Sequence, residues 1–160
     1  MENSLKDLAD KTLKYLCVGS YIEGINFYGL KILFGENEVN KARIDGQIYL
    51  NIEGKFAVLP SLPEFFPTVE TLPELDWIES SKIICELRMK KVVDLWLSID
   101  VPNLIIVFES GEVLYVNGHN DKYESWQLGV WGNTNKDEIW EIVCCPGDDI
   151  AIWAPDDFVG

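Results

Sequence analysis

The chain reads as an α+β domain: two units, each a helix followed by a β-meander, forming a twisted, mostly antiparallel sheet or a half-open barrel with the helices packed on it. Three observations lead there. Two stretches carry apolar residues at helical spacing, one at the start and one near residue 75. The rest is made of short runs rich in Val, Ile, Leu, Phe and Tyr, bounded by Gly, Asn, Asp and Pro, as strands and turns are. The second half also repeats the order of elements of the first.

Asn3 or Ser4 is placed to cap the first helix, and Leu5, Leu8, Thr12, Tyr15 and Leu16 mark one face up to about Cys17, before Gly19. Tyr21–Phe27 and Leu30–Phe34 follow as strands around Tyr28-Gly29. Gln47–Ile52 and Lys55–Leu59 read as a hairpin around Glu53-Gly54. Pro60, Pro63, Pro67 and Pro73 then exclude a central strand from residues 60–74, because proline cannot donate to a ladder, and predict a surface connector pinned by Phe65 and Phe66.

From Leu75 the pattern restarts. Trp77, Ser81, Ile84 and Arg88 suit a second helix, and Val92–Ile99 and Leu104–Phe108 suit strands separated by Asp100-Val101-Pro102-Asn103. Residues 112–117 and Tyr123–Leu128 alternate as a second hairpin, with Asn117-Gly118 at its turn and the chain's one histidine, His119, at its tip. Glu138–Cys144 and Ile150–Trp153, joined by Pro146-Gly147-Asp148, close the chain. Residues 1–160 thus form one domain with candidate repeat units 1–59 and 75–128, a connector 60–74 and C-terminal strands within 129–160. VGSYIEGINFYGLKILFG against MKKVVDLWLSIDVPNLIIVFESG carries the expectation of an internal duplication.

Composition narrows function by exclusion. Among 160 residues, 27 Asp+Glu against 13 Lys+Arg leave a net charge of −14, which disfavours nucleic acid and anionic membrane as partners and favours a basic protein. MENSLKDLADKTLKYL lacks the basic region and apolar run of a signal peptide, and no apolar stretch is long enough to span a bilayer, so a cytoplasmic protein is expected. Cys17, Cys85, Cys144 and Cys145 show no C-x-x-C spacing and read as free thiols; no cofactor or metal is expected. Phosphate-loop, dinucleotide and serine-hydrolase patterns do not occur.

The segment GEVLYVNGHNDKYESWQL concentrates the polar and aromatic residues most suited to a working surface. Asn117, His119, Asp121, Tyr123, Glu124 and Trp126 are the candidate partner-binding residues: carboxylates attract a cationic partner, and aromatic side chains supply buried area at an interface. The competing readings are a small enzyme or ligand-binding domain with a pocket near His119, Asp121 and Trp126, and a self-associating structural protein. One histidine leaves no second imidazole for a common zinc site, so no catalytic residue is assigned.

NLIIVFESGEVLYVNG followed by YESWQLG resembles bacterial immunity proteins of polymorphic and contact-dependent toxin systems, over roughly residues 80–130. The resemblance implies a non-enzymatic protein that binds and neutralises a cognate toxin of the same strain. It transfers no individual functional residue.

Overall fold

In the computed structural model, which describes residues 1–134 and 137–160, the described residues form three helices and ten strands. In chain order these are α1 (Asn3–Cys17), β1 (Ile22–Asn26), β2 (Lys31–Phe34), β3 (Gln47–Ile52), β4 (Phe56–Leu59), α2 (Trp77–Cys85), β5 (Val92–Leu97), β6 (Leu104–Phe108), β7 (Val113–Val116), β8 (Trp126–Trp131), β9 (Glu141–Cys145), β10 (Asp149–Trp153) and α3 (Asp156–Val159). The α+β class holds. The strands form two antiparallel sheets, ordered β1-β2-β3-β8-β9-β10 and β4-β7-β6-β5.

Both expected hairpins are corrected by this order. β3 and β4 do not pair with each other, and neither do β7 and β8; each pair of neighbours in sequence crosses from one sheet to the other. β3 instead pairs with β8, Ile52 opposite Trp126, and β4 with β7, Phe56 opposite Val116. Glu53-Gly54 and Asn117-Gly118 therefore sit at a corner where two strands bend together. The backbone bonds there are reciprocal: Glu53 and Gly54 donate to Ser125 O, and Asn117 donates to Lys55 O. Residues 121–125 are not strand, so the return strand begins at Trp126 rather than Tyr123.

The opposite corner closes the same way. Tyr21 bridges Lys91, Gly19 donates to Val92 O at 2.8 Å, and Met89 donates to Ile22 O at 2.7 Å. Joined along both corners, the two sheets stand nearer to the barrel alternative than to one continuous sheet.

Exchanging β1, β2, β3 and β4 for β5, β6, β7 and β8 turns the first four strands of one sheet into the four of the other. The register follows, down to an irregularity after the first residue of both meanders, between Ile22 and Gly24 and between Val92 and Asp94. This is an equivalence of topology and register; it does not by itself show a duplicated segment.

The core lies between the sheets. Leu50, Leu95, Leu104, Ile106, Leu114 and Leu128 are fully buried there, each contributing roughly 2 kcal/mol by leaving water. Helix α1 adds Ala9, Leu13 and Leu16 from one face and packs on β5, whose open edge it also covers: Leu97 donates to Asp10 Oδ1 at 2.9 Å. Its carbonyl end is closed by Asn37 and Asn40, whose amides donate to Tyr15 O, Leu16 O and Val18 O. Its N-cap is Glu2, with no side-chain bond, whereas Asp76 caps α2 by accepting from Glu79 N at 2.8 Å. The connector lies on the outer face of the four-stranded sheet, where Phe66 stacks on Tyr115 at 5.1 Å and Leu72 is buried, while Phe65, expected to pin it, stays 82% exposed.

Candidate functional site

The loop between β7 and β8 is built by side-chain amides standing in for backbone pairing. Asn117 Nδ2 donates to His119 O at 3.0 Å, and its Oδ1 accepts from His119 N at 3.2 Å. Asn120 Oδ1 then accepts from the amides of Lys122 and Tyr123 at 2.8 and 2.9 Å, a turn of the kind Asn favours. Gly118 is pressed against the 102–103 backbone, donating to Asn103 Oδ1 at 2.8 Å. A Cβ at Gly118 would lie 2.1 Å from Pro102 O, so only glycine fits.

A second loop, between β9 and β10, meets the first. Gly147 donates to Asn120 O at 3.0 Å, and His119 Nδ1 lies 2.6 Å from Asp148 Oδ1, with Asp121 Oδ1 3.9 Å from Nε2. The hydrogen bond from His119 to the Asp148 carboxylate, then the charge of Asp148 and that of Asp121, raise the His119 pKa above its ordinary value. Asp148 has φ of 59°, a conformation Asp tolerates better than most residues. Glu124 and Asp149 both act on Cys145, so the two loops gather Asp121, Glu124, Asp148 and Asp149 at one end of the molecule, with Lys122 as the cation among them.

The six sequence candidates separate into two groups. His119, Asp121, Tyr123 and Glu124 are exposed, Tyr123 at 70%, whereas Asn117 is buried and Trp126 is completely so. Trp126 is therefore a support for the loop rather than part of its surface. Its Nε1 donates to Pro102 O at 2.9 Å, so it cannot line an open pocket beside His119. Asp148, Asn120 and Asn103 were missed, because nothing in their local sequence points to a loop elsewhere in the chain.

Nucleophilic chemistry is poorly served here. Burial pushes the Cys144 thiol up to about 12, and burial followed by Glu124 and Asp149 raises that of Cys145, so neither is a ready thiolate. Among the described residues, no group of three or more His, Cys, Asp or Glu converges as a metal site, and no helix is long and apolar enough to cross a membrane. What the arrangement offers is an exposed acidic end with a protruding tyrosine on a braced frame. Comparison with family models, curated proteins and solved structures finds no match to this chain.

Proposed function

We propose that this chain is a non-enzymatic binding protein that captures a basic protein, acting in the cytoplasm as an immunity protein against a cognate toxin. The observation that carries the reading is the joining of two loops, by His119 to Asp148 and by Gly147 to Asn120, in segments that also carry Asp121, Glu124, Asp149 and an exposed Tyr123. Fixed carboxylates speed encounter with a cationic surface, and a tyrosine held above them has area to bury once contact is made. A nuclease is the toxin class whose phosphate-binding surface such an end would match, with carboxylates in place of phosphates.

The test is capture from lysate of the source strain by the tagged protein at low and at high salt, with identification of what is retained. A stoichiometric basic protein released by salt, whose toxicity this chain suppresses, supports the proposal; a retained protein that is neither basic nor toxic removes it.

One observation favours a small-ligand reading instead, away from the loop. A cleft of about 340 Å³ lined by Phe27, Leu30, Ile52, Phe56 and Trp77 lies beside the start of α2, within the size range of ligand sites. Saturable quenching of Trp77 by a small apolar compound, absent in Trp77→Phe, would support that alternative.

A further inference from the structure

The two sheets present equivalent outer faces, and among the described residues one is covered and the other is not. On the four-stranded sheet, cross-strand partners Ile105, Tyr115 and Ala57 form one row and Val107, Val113 and Leu59 the next. Residues 60–74 lie across them as an irregular, proline-punctuated strap carrying Phe66 and Leu72, with a turn in which Thr68 O accepts from the amides of Thr71 and Leu72. The corresponding rows of the six-stranded sheet are Lys31, Asn51 and Gln127, and Leu33, Tyr49 and Gly129, since directly paired residues share a face. β9 and β10 extend them with Val143 and Ala151, and with Glu141 and Trp153.

Among the described residues, no strap covers this second face. Trp131, stacked on Tyr49 at 4.1 Å, is 37% exposed and Trp153 is 47% exposed. Among the described residues, no hydrophobic cluster forms outside these rows, as one does around Tyr115. Asn51, the counterpart of Tyr115, is 6% exposed, yet its Oδ1 has no hydrogen-bond partner. Four carboxylates surround the aromatic centre: Glu141 in the second row, Glu53 and Glu124 bonded to Asn51 and Gln127, and Glu23 over Gly35. Among the described residues, none of the four has a Lys or Arg at ion-pair distance.

We infer that the outer face of the six-stranded sheet is a docking surface for a basic, strap-like segment of a partner polypeptide, seated across Tyr49 and Trp131 as residues 60–74 seat across Tyr115. The covered face supplies the geometry of the occupant, an irregular strap that lies on the sheet by an aromatic and an aliphatic side chain. The carboxylates supply its charge, because a partner with lysines or arginines flanking that aromatic would meet four carboxylates that form no ion pair among the described residues, alongside Lys31, whose Nζ lies 5.9 Å from the Trp131 ring centroid. The inference goes beyond the acidic loop reading, since Tyr49, Trp131, Trp153, Glu141, Glu53 and Glu23 carry it and Glu124 is shared by the two surfaces.

The probe is a synthetic peptide of residues 60–74 in which Glu64, Glu70 and Glu74 are replaced by Lys, with the unaltered peptide beside it. Titration into the full chain, followed by tryptophan fluorescence, is expected to show saturable binding of the basic peptide, weakened by salt and at least roughly tenfold tighter than that of the acidic one. Tyr49→Ala/Trp131→Ala should weaken binding by roughly tenfold or more while far-UV circular dichroism is unchanged. Should that variant not fold, Trp153→Lys on the edge strand puts a like charge on the same face and should weaken the basic peptide. Equal binding of both peptides, or undiminished binding to a folded face variant, overturns the proposal. So does sedimentation showing a dimer that Trp153→Lys splits, because a second copy would then be the occupant.

Discussion

Gly19 and Met89 occupy equivalent positions where the two sheets meet, and both have positive φ, 89° and 66°. Each donates its amide across the corner to the other meander. One meander fills the position with the residue that adopts this conformation freely; the other uses a side chain that does not. For an L-residue the left-handed region costs about 1–2 kcal/mol, and glycine returns roughly 0.5–1 kcal/mol of that as added freedom in the unfolded chain. Met89→Gly is therefore expected to stabilise the fold, and Gly19→Ala to destabilise it, each by up to about 1.5 kcal/mol. Urea unfolding midpoints at constant slope check both, and a stabilised Gly19→Ala would remove the strain argument.

The loop reading predicts a kinetic effect. Asp121→Lys/Glu124→Lys should slow association with the captured basic partner by roughly tenfold or more at low salt, with a smaller change in dissociation. The gap should narrow at high salt as exposed charges are screened. Surface plasmon resonance at two ionic strengths measures this, and unchanged association at low salt would take these residues out of the interface.

Element positions were legible in the sequence, but their pairing was not. Periodicity located both long helices, and the strands fall within a few residues of where alternation put them. Glu53-Gly54 and Asn117-Gly118 carry the chemistry of a tight turn, and a local reading closes hairpins there. The real partners of β3 and β4 lie in β8 and β7, whose contacts are long-range in sequence. The same limit shaped the site. Charge and aromatic placement put Trp126 among the partner-binding candidates, yet the strand begins only at Trp126, which is completely buried. Asp148 is separated from His119 by 29 residues, and no pattern links them.

His119 ties the loops together through a bond that depends on its protonation. Its folded pKa is raised, so its contribution to stability is complete below the ordinary histidine value of about 6.5 and is lost as pH rises through the higher folded value. Asp148→Asn keeps a residue that tolerates positive φ and removes the charge. The urea midpoint of the parent should exceed that of the variant more at pH 6 than at pH 9. In a ring-proton titration the His119 pKa should fall in the variant; an unaltered pKa would mean that Asp148 does not hold the imidazolium.

Trp126 braces the loop from beneath. Trp126→Phe keeps most of the apolar volume but removes the donor to Pro102 O, leaving a buried carbonyl with only the Cys144 Sγ at 3.9 Å. The expected cost is about 1–3 kcal/mol. Trp126→Ala adds a cavity and should cost about 3–5 kcal/mol. Chemical denaturation distinguishes the two, and near-equal losses would indicate that packing alone matters at this position.

Gly118 joins fold and proposed function most directly. It carries no functional group, yet a Cβ there would lie 2.1 Å from Pro102 O, 2.3 Å from Pro102 C and 2.8 Å from Asn103 N. All three are backbone atoms, so no side chain can swing aside; either the 102–103 turn or the loop must move. Overpacking of this kind costs typically about 1–3 kcal/mol, and Gly118→Ala should sit at the upper end of that range. The displacement acts on the Asn103 bond to Gly118 N and on the Cys144 Sγ contact with Gly118 O at 3.1 Å, both of which fix the base of the loop. His119 and Asp121 follow directly in the chain, so Gly118→Ala should also weaken capture of the basic partner without altering net charge. Denaturation midpoints and dissociation rates on the same preparation check the two effects together. A variant that is destabilised but binds as tightly as the parent would show that the working surface does not depend on this loop.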